Sequence, residues 1–285
     1  MNSNKIKQQG PRSLDLKLLK RVLRINSPSG GEKVMRDFVV RYIRQNIKGV
    51  KVECDKIGNL YITKGKADLF PCIIAHMDSI TDTQDVEPVI FADYYIMGWN
   101  HKELKQELIG LDDKVGVYIA LEVLRRKPNV KVFLSVMEEM GGVGSYKAQT
   151  EFFDDCAYLI QCDRRGCGDF IWHTNGLCIA SDDFIADAYV KVASKYGYEL
   201  ARGTFTDVGI ISSRTNLSGV NLSCGYYYEH TNREVGVIPA IGNCFNIVFE
   251  LIEKLKTDKR YENYATFQQD GPTDPFYYEM EKFWM

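Results

Sequence analysis

Apolar residues recur at helical spacing at the start of the chain. Leu14, Leu16, Leu18, Leu19, Val22 and Leu23 form one amphipathic stretch, which Ser27-Pro28-Ser29-Gly30-Gly31 interrupts. A second begins at Glu32, with Met35, Phe38, Val39, Tyr42 and Ile43 on one face. The period then shortens to that of strands: Val50 to Cys54, a turn at Ile57-Gly58-Asn59, and Leu60 to Thr63. Pro71 to Ala75 reads as a buried strand and Ile90 to Met97 as more strand. Beyond that point the two periods alternate. Val115 to Arg125 is helical, Val130 to Met137 and Tyr158 to Cys162 are strands, and Asp182 to Lys195 is helical. A short helix opens at Asp207, and Val220 to Cys224 is a strand. A long helix follows from Ala240 to Leu255, with Phe245, Val248, Phe249 and Ile252 on one face.

Strands alternating with helices predict an α/β three-layer sandwich, its central sheet mostly parallel and covered by helices on both faces. No repeat, low-complexity tract or long linker divides the chain, so residues 1–260 are expected to form one domain. The segment 261–285 holds eight aromatic residues in 25 and is expected to dock as an aromatic extension.

Composition narrows the function classes. Hydrophobic residues make up 45% of the 285 and charged residues 26%, which excludes general disorder. The 36 basic residues against 38 acidic ones argue against a nucleic-acid or polybasic membrane partner. No apolar run approaches the ~18 residues of a membrane span. The opening segment, Met1 to Ser13, lacks a secretion signal's apolar stretch, so a cytoplasmic protein is expected. The eight cysteines are too dispersed for a disulfide scaffold and read as reduced, mostly buried thiols. Cys162 and Cys167 flank Asp163, but no C-x-x-C pair accompanies them as a metal site would want.

In open α/β sheets ligands bind outside the carboxyl ends of the strands. The apolar strand ending at Ala75 runs into His76-Met77-Asp78, the one ending at Met137 into Glu138-Glu139, and the one ending at Cys162 into Asp163. Cys224 leads through Gly225 and three tyrosines to His230, and a loop before a helix carries Gly110-Leu111-Asp112-Asp113-Lys114. Each piece has an ordinary reading: Asp112-Asp113 alone suits a helix cap, and paired glutamates suit a solvated face. Their order and shared placement carry more weight. Ionised carboxylates gathered at one sheet edge repel, and a bound cation relieves that repulsion. With this many acids, two cations serve better than one.

Taken in order, His76-x-Asp78, Gly110-x-Asp112-Asp113-Lys114, Glu138-Glu139, Asp163 and His230-x-x-x-Glu234 resemble the co-catalytic di-zinc exopeptidases, the group of peptidase T and the zinc aminopeptidases. Gly203-Thr-Phe-Thr-Asp207 resembles the segment preceding that group's last ligand. The resemblance implies that Asp112 bridges two zinc ions, with His76 and Asp163 completing one ion's ligands and Glu139 and His230 the other's. Cobalt or manganese could occupy the same set. It implies Glu138 as general base, Asp78 as the residue orienting His76, and a cis peptide between Asp112 and Asp113. Many relatives insert a lid domain. Here the intervals from His76 to Asp112 and from Asp163 to His230 are 36 and 67 residues, the first holding little more than a strand pair and loop, and both too short for one. Substrate contacts must then come from elsewhere. Tyr226, Tyr227, Tyr228, Arg202 and Arg233 are candidates, though packing serves the tyrosines equally well. His173, beside Trp172, reads as structural.

The expected activity is hydrolysis of an amide bond near a peptide terminus, aminopeptidase favoured, on a peptide or small acyl-amino-acid substrate, with a homo-oligomer possible. A dipeptidase, carboxypeptidase or N-acyl amino-acid deacylase would use the same residues. A non-hydrolytic cyclase or a metal-free scaffold are the readings from other classes.

Overall fold

The computed structural model describes residues 13–264. Asp15 caps the first helix, α1 (Leu16–Leu23), by accepting from the Leu18 amide. Helix α2 (Lys33–Asn46) follows the Ser27–Gly31 break and buries Met35, Val39, Tyr42 and Ile43, the face that the apolar spacing marks. Strands β1 (Val50–Cys54) and β2 (Leu60–Lys64) form a hairpin. Its turn is organised by Asp55, one of whose oxygens accepts from the Ile57, Gly58 and Asn59 amides. Strand β3 (Phe70–His76) is buried along its whole length. Then come β4 (Val86–Phe91), β5 (Tyr95–Asn100), β6 (Lys105–Glu107), helix α3 (Leu111–Arg126) and β7 (Val130–Ser135). A single turn, α4 (Val143–Tyr146), precedes β8 (Cys156–Arg164), β9 (Asp169–Thr174) and β10 (Leu177–Cys178). After α5 (Asp182–Phe184), the chain alternates through β11 (Glu199–Gly203), α6 (Asp207–Thr215) and β12 (Gly219–Ser223). Two short strands, β13 (Tyr226–Tyr227) and β14 (Val235–Val237), lead into α7 (Ile238–Lys254).

The main sheet runs β1-β2-β7-β3-β8-β12-β9-β10, with β11 beside β9. Its centre, β7-β3-β8-β12, is parallel, and the flanking pairs β1-β2, β2-β7, β12-β9 and β9-β10 are antiparallel. The sandwich expected from the sequence is therefore present, as a mixed sheet with a parallel core. Alternation along β3 shows the two layers directly. Ile73 and Ala75 join the larger core with α1, α2, α3 and α7, while Cys72 and Ile74 join the smaller one with Val208 and Ile211 of α6. Because β3, β7 and β8 run the same way, their carboxyl ends open on one edge.

Three expectations change. Residues 90–97 are not one strand but parts of β4 and β5, which pair Phe91 with Tyr95 across a turn where Ala92 and Asp93 take positive φ. The helix read over 182–195 is α5, a π-helical stretch Ile185–Val190 and a 3-10 turn Ala193–Tyr196. It breaks at Val192, whose backbone leaves the helical region (φ −124°, ψ −72°) while its side chain is buried in the larger core. The interval between His76 and Asp112 holds more than a strand pair. Its strands β4, β5 and β6 join β13 and β14 in a second sheet of five strands.

All eight cysteines are free, five of them buried. Cys162 is buried and Cys167 exposed, and among the described residues neither belongs to a group of side chains that could hold a metal ion. Among the described residues no helix is long and apolar enough to cross a membrane.

Of the aromatic extension, residues 265–285 lie outside the described residues. Of residues 261–264, Tyr261 and Asn263 are buried and Glu262 and Tyr264 are exposed. Tyr261 meets the rings of Tyr158 and Phe184 edge-on, and its hydroxyl donates to Asp187 at 2.7 Å. Truncation of this buried ring leaves a cavity, so Tyr261→Ala is expected to destabilise the fold by about 3–5 kcal/mol. A denaturation midpoint unchanged from the unaltered chain would show that the docking contributes nothing.

Candidate metal centre

All the candidate ligands but His230 stand just past or near a strand end, or at a helix start. His76 is the last residue of β3, Asp163 lies near the end of β8, and Glu138 and Glu139 follow β7. Asp112 and Asp113 open α3, where their backbones depart from helical angles and the peptide between them is cis. Gly110 precedes them with φ +69°, and a Cβ there would come within 2.8 Å of Ser79. His230 lies between β13 and β14, so the second sheet brings it to the edge of the first.

The structure brings these side chains together around Asp112. Its Oδ1 is 3.0 Å from His76 Nε2 and its Oδ2 is 3.3 Å from His230 Nε2. Asp163 Oδ1 approaches His76 Nε2 at 3.7 Å, and Glu139 Oε1 lies 3.0 Å from His230 Nε2. Glu138 turns the other way from Glu139, with Oε2 4.0 Å from His76 Nε2. His76 Nδ1 lies 3.1 Å from the Asp78 backbone oxygen and 3.3 Å from its carboxylate, so a proton on Nδ1 leaves Nε2 free to coordinate. Asp78 itself accepts from the amides of Glu138 and Glu139 at 3.0 and 3.2 Å. It therefore contacts His76 and the glutamate loop at once.

Asp113 does the other work that an Asp-Asp pair can do. Its Oδ1 accepts from the Gly116 amide inside α3 and its Oδ2 from the His76 amide. One aspartate caps the helix while its neighbour faces the cleft. Asp163 is held by Tyr226 Oη and Gln161 Nε2, which donate to its two oxygens at 3.1 and 3.0 Å. Asn221 closes the arrangement by pairing with the Asp163 backbone in both directions.

Charge in this cluster is poorly balanced. Burial penalises ionised Asp112, yet His230 and His76 hold it well below the usual carboxylate range. Burial raises Asp163, and ionised Asp112 beside it raises it further. Burial likewise pushes Glu138 well up, with Asp207, Asp163 and Asp112 adding to the effect. Burial opposes a charged His76, but Asp112, Asp163 and Asp78 outweigh it and raise the imidazole pKa. Ligand atoms of His76, Asp112 and Glu139 lie within 4.8 Å of one another, as do those of His76, Asp113 and Asp163. Imidazole nitrogens among closely spaced carboxylates, several driven toward neutrality for want of positive charge, fit a divalent metal of borderline softness.

These groups face a cleft of about 280 Å³. Of the candidate substrate residues, only Tyr226 lines it, and that tyrosine is buried with its hydroxyl on Asp163. Tyr228 is exposed beneath the Arg233 guanidinium, and Arg202 is exposed away from the cleft lining. The walls instead include Arg164 and Arg165, paired with Asp169 and Glu229, and Ile171 and Phe205 on the apolar side. The strand-end rule that picks out Asp163 points equally to the two arginines after it. Nothing in spacing distinguishes Phe205 or Ile171.

No protein-family model and no curated protein matches the sequence. Solved structures do match. An aminopeptidase PepT from Bacillus cereus superposes with a TM-score of 0.71 at 16% identity, over 84% of this chain and 97% of that one. A tripeptidase from Staphylococcus aureus gives 0.68 at 16% identity over 84% and 96%. The TET1 peptidase of Pyrococcus horikoshii, which can assemble into a tetrahedron or a large octahedral shell, gives 0.65 at 17% over 84% and 99%. At such identities the likeness is one of architecture, and the chain has the fold of these peptidases.

Proposed function

We propose that the chain is a di-metal exopeptidase, an aminopeptidase by preference, built on a single catalytic domain and working in the cytoplasm. The observation that supports this most directly is Asp112, which offers one carboxylate oxygen on the His76 side and the other on the His230 side. In this reading Asp112, His76 and Asp163 would hold one zinc ion and Asp112, Glu139 and His230 the other. Bound metal would supply a water of lowered pKa and polarisation of the substrate carbonyl. Glu138 would accept the water's proton and return it to the leaving amine, a role suited to a carboxyl that lines the cleft with Oε2 4.0 Å from His76 Nε2. Asp78 fixes the His76 tautomer and the backbone that carries Glu138. A cleft of about 280 Å³ is at the small end of ligand sites, which suits a chain end better than a long peptide. Self-association of the chain belongs to this reading and rests on the likeness to the TET1 peptidase.

Elemental mass spectrometry, with amino-acid release from a dipeptide and tripeptide library, tests the assignment. About two zinc ions per chain and chelator-sensitive release from the amino end are expected. Release from the carboxyl end would replace the aminopeptidase with a carboxypeptidase. Metal without release would point to an acyl-amino-acid deacylase or a cyclase, and no metal after zinc or cobalt reconstitution would overturn the reading. Glu138→Gln should keep its metal and lose about 10²–10⁴-fold in kcat. An active variant would refute the general-base role.

Metal binding should also depend on pH. Hydrogen bonds to Asp112 and Glu139 raise the His230 pKa from 6.5 to about 10 in the metal-free chain. Protonated His230 thus stabilises the metal-free fold fully below pH 6.5, and that contribution is lost as pH rises toward 10. A coordinating imidazole must be neutral, so metal has to displace this proton. Zinc affinity is expected to climb across the same interval, with proton release seen by calorimetry in buffers of different ionisation enthalpy. Affinity that stays flat with pH would show that His230 is not a ligand.

A further inference from the structure

The backbone that carries Glu138 and Glu139 leaves the sheet at Ser135, and its next four amides bond to side chains rather than to a neighbouring strand. Val136 N–H donates to Asn59 Oδ1 at 3.1 Å, and Met137 N–H to Glu32 Oε1 at 3.0 Å. Glu138 N–H and Glu139 N–H donate to the two oxygens of Asp78. Asn59 also holds the far end of the loop, its Nδ2 donating to Gly144 O at 3.0 Å. The acceptors come from three separate places: the β1–β2 turn, the end of β3, and the loop between α1 and α2.

Met137 is the strained member of the row. Its φ of +51° lies in the left-handed region, which side chains other than glycine adopt at a cost. The peptide plane at this residue decides which way the following two glutamates leave the backbone. Among the described residues only Glu32 holds its amide. Glu32 is buried, and its Oε1 also accepts from Gly30 N–H at 2.8 Å, so the acceptor is itself fixed in place. The same loop reaches the site a second time through Ser29, whose hydroxyl donates to Asp78 at 2.7 Å. Backbone bonds between Ser29 and Ser79 and between Ser79 and Ser27 complete the attachment.

We propose that Glu32 is a positioning residue for the Glu138–Glu139 pair: by holding the Met137 amide it fixes the turn that sends one glutamate toward His76 and the other toward His230. The α1–α2 loop thereby becomes part of the site, about a hundred residues away in sequence. The catalytic side of this proposal rests on the exopeptidase reading, whereas its structural side does not.

Hydrogen–deuterium exchange over residues 134–141 of the full chain, before and after zinc loading, tests the structural side. Glu32→Ala is expected to speed exchange at the Met137 amide by roughly tenfold or more. Glu32→Asp, which keeps the charge but withdraws the oxygen by one methylene, should do the same and serves if the alanine variant fails to fold. Glu32→Gln still presents a carbonyl oxygen at the Oε1 position and should exchange like the unaltered chain. On a cleaved peptide, the alanine or aspartate variant should lose about a hundredfold in kcat with little change in KM, and glutamine should restore most of the rate. Unchanged exchange in Glu32→Ala overturns the proposal, as does a glutamine variant as impaired as the alanine one. If the unaltered chain releases no amino acid from any peptide, the exopeptidase reading fails, and the exchange result alone decides the role of Glu32.

Discussion

Asp112 has to be reached from both sides. Its buried carboxylate touches one imidazole through each oxygen, and those imidazoles belong to segments 154 residues apart, His76 at the end of β3 and His230 beyond β13. Much of the architecture serves that requirement. Parallel β3, β7 and β8 bring His76, the glutamate pair and Asp163 to one edge, and the five-stranded second sheet supplies the opposite wall. Glu234, buried just past His230, ties the two walls together. Its oxygens accept from the amides of Ile109 and Asp112, so the segment bearing the second histidine also holds the backbone of Asp112. Burial raises the pKa of Glu234 to about 7, the cost of placing a carboxyl in that position.

Strand ends are difficult places to put a site, because the sheet ladder stops while the backbone is still buried and every amide there needs an acceptor. In this fold the acceptors are side chains. Asn59, Glu32 and Asp78 serve the β7 end, and Asn221 serves the β8 end. Such bonds are directional, so they position as well as satisfy. The loop after Glu139 is pressed against its own start: a Cβ on Gly144 would come within 2.3 Å of Val136 O. That contact explains a glycine four residues past the loop's exposed Met140.

How much of this could be read from the sequence varies with length scale. The long elements were legible because their periods are sustained: α2, α3, α7 and the buried strands β3, β7 and β8 all lie within a few residues of the pattern. The second sheet was not, because β6, β13 and β14 are two or three residues long and too short to show a period. The acids and imidazoles around Asp112 stand out because the strand-end rule says where to look. Their supporting residues do not. Glu32 reads as an ordinary first residue of a helix, and Asn59 as part of a turn. Tyr226 draws attention as one of three consecutive tyrosines with a substrate role in view, and its buried hydroxyl is on Asp163 instead. Side chains that act through tertiary hydrogen bonds leave no local spacing to detect.

A gathering of acids this dense also has to be tolerated before any metal arrives. Among the described residues, the basic side chains within 4.0 Å of these carboxylates are the imidazoles of His76 and His230. Contacts with the carboxylates raise the pKa of both His76 and His230, and those two rings keep Asp112 ionised despite its burial. Asp163 and Glu138 are relieved in the other way, by being pushed toward their neutral forms. The metal-free edge can thus hold itself together with protons. In the proposed metal-bound site the imidazoles would give up those protons and serve as ligands, with the bound cations supplying the positive charge. In that proposal the geometry of the metal-free edge would need little change, since Asp112 already faces one imidazole nitrogen with each oxygen.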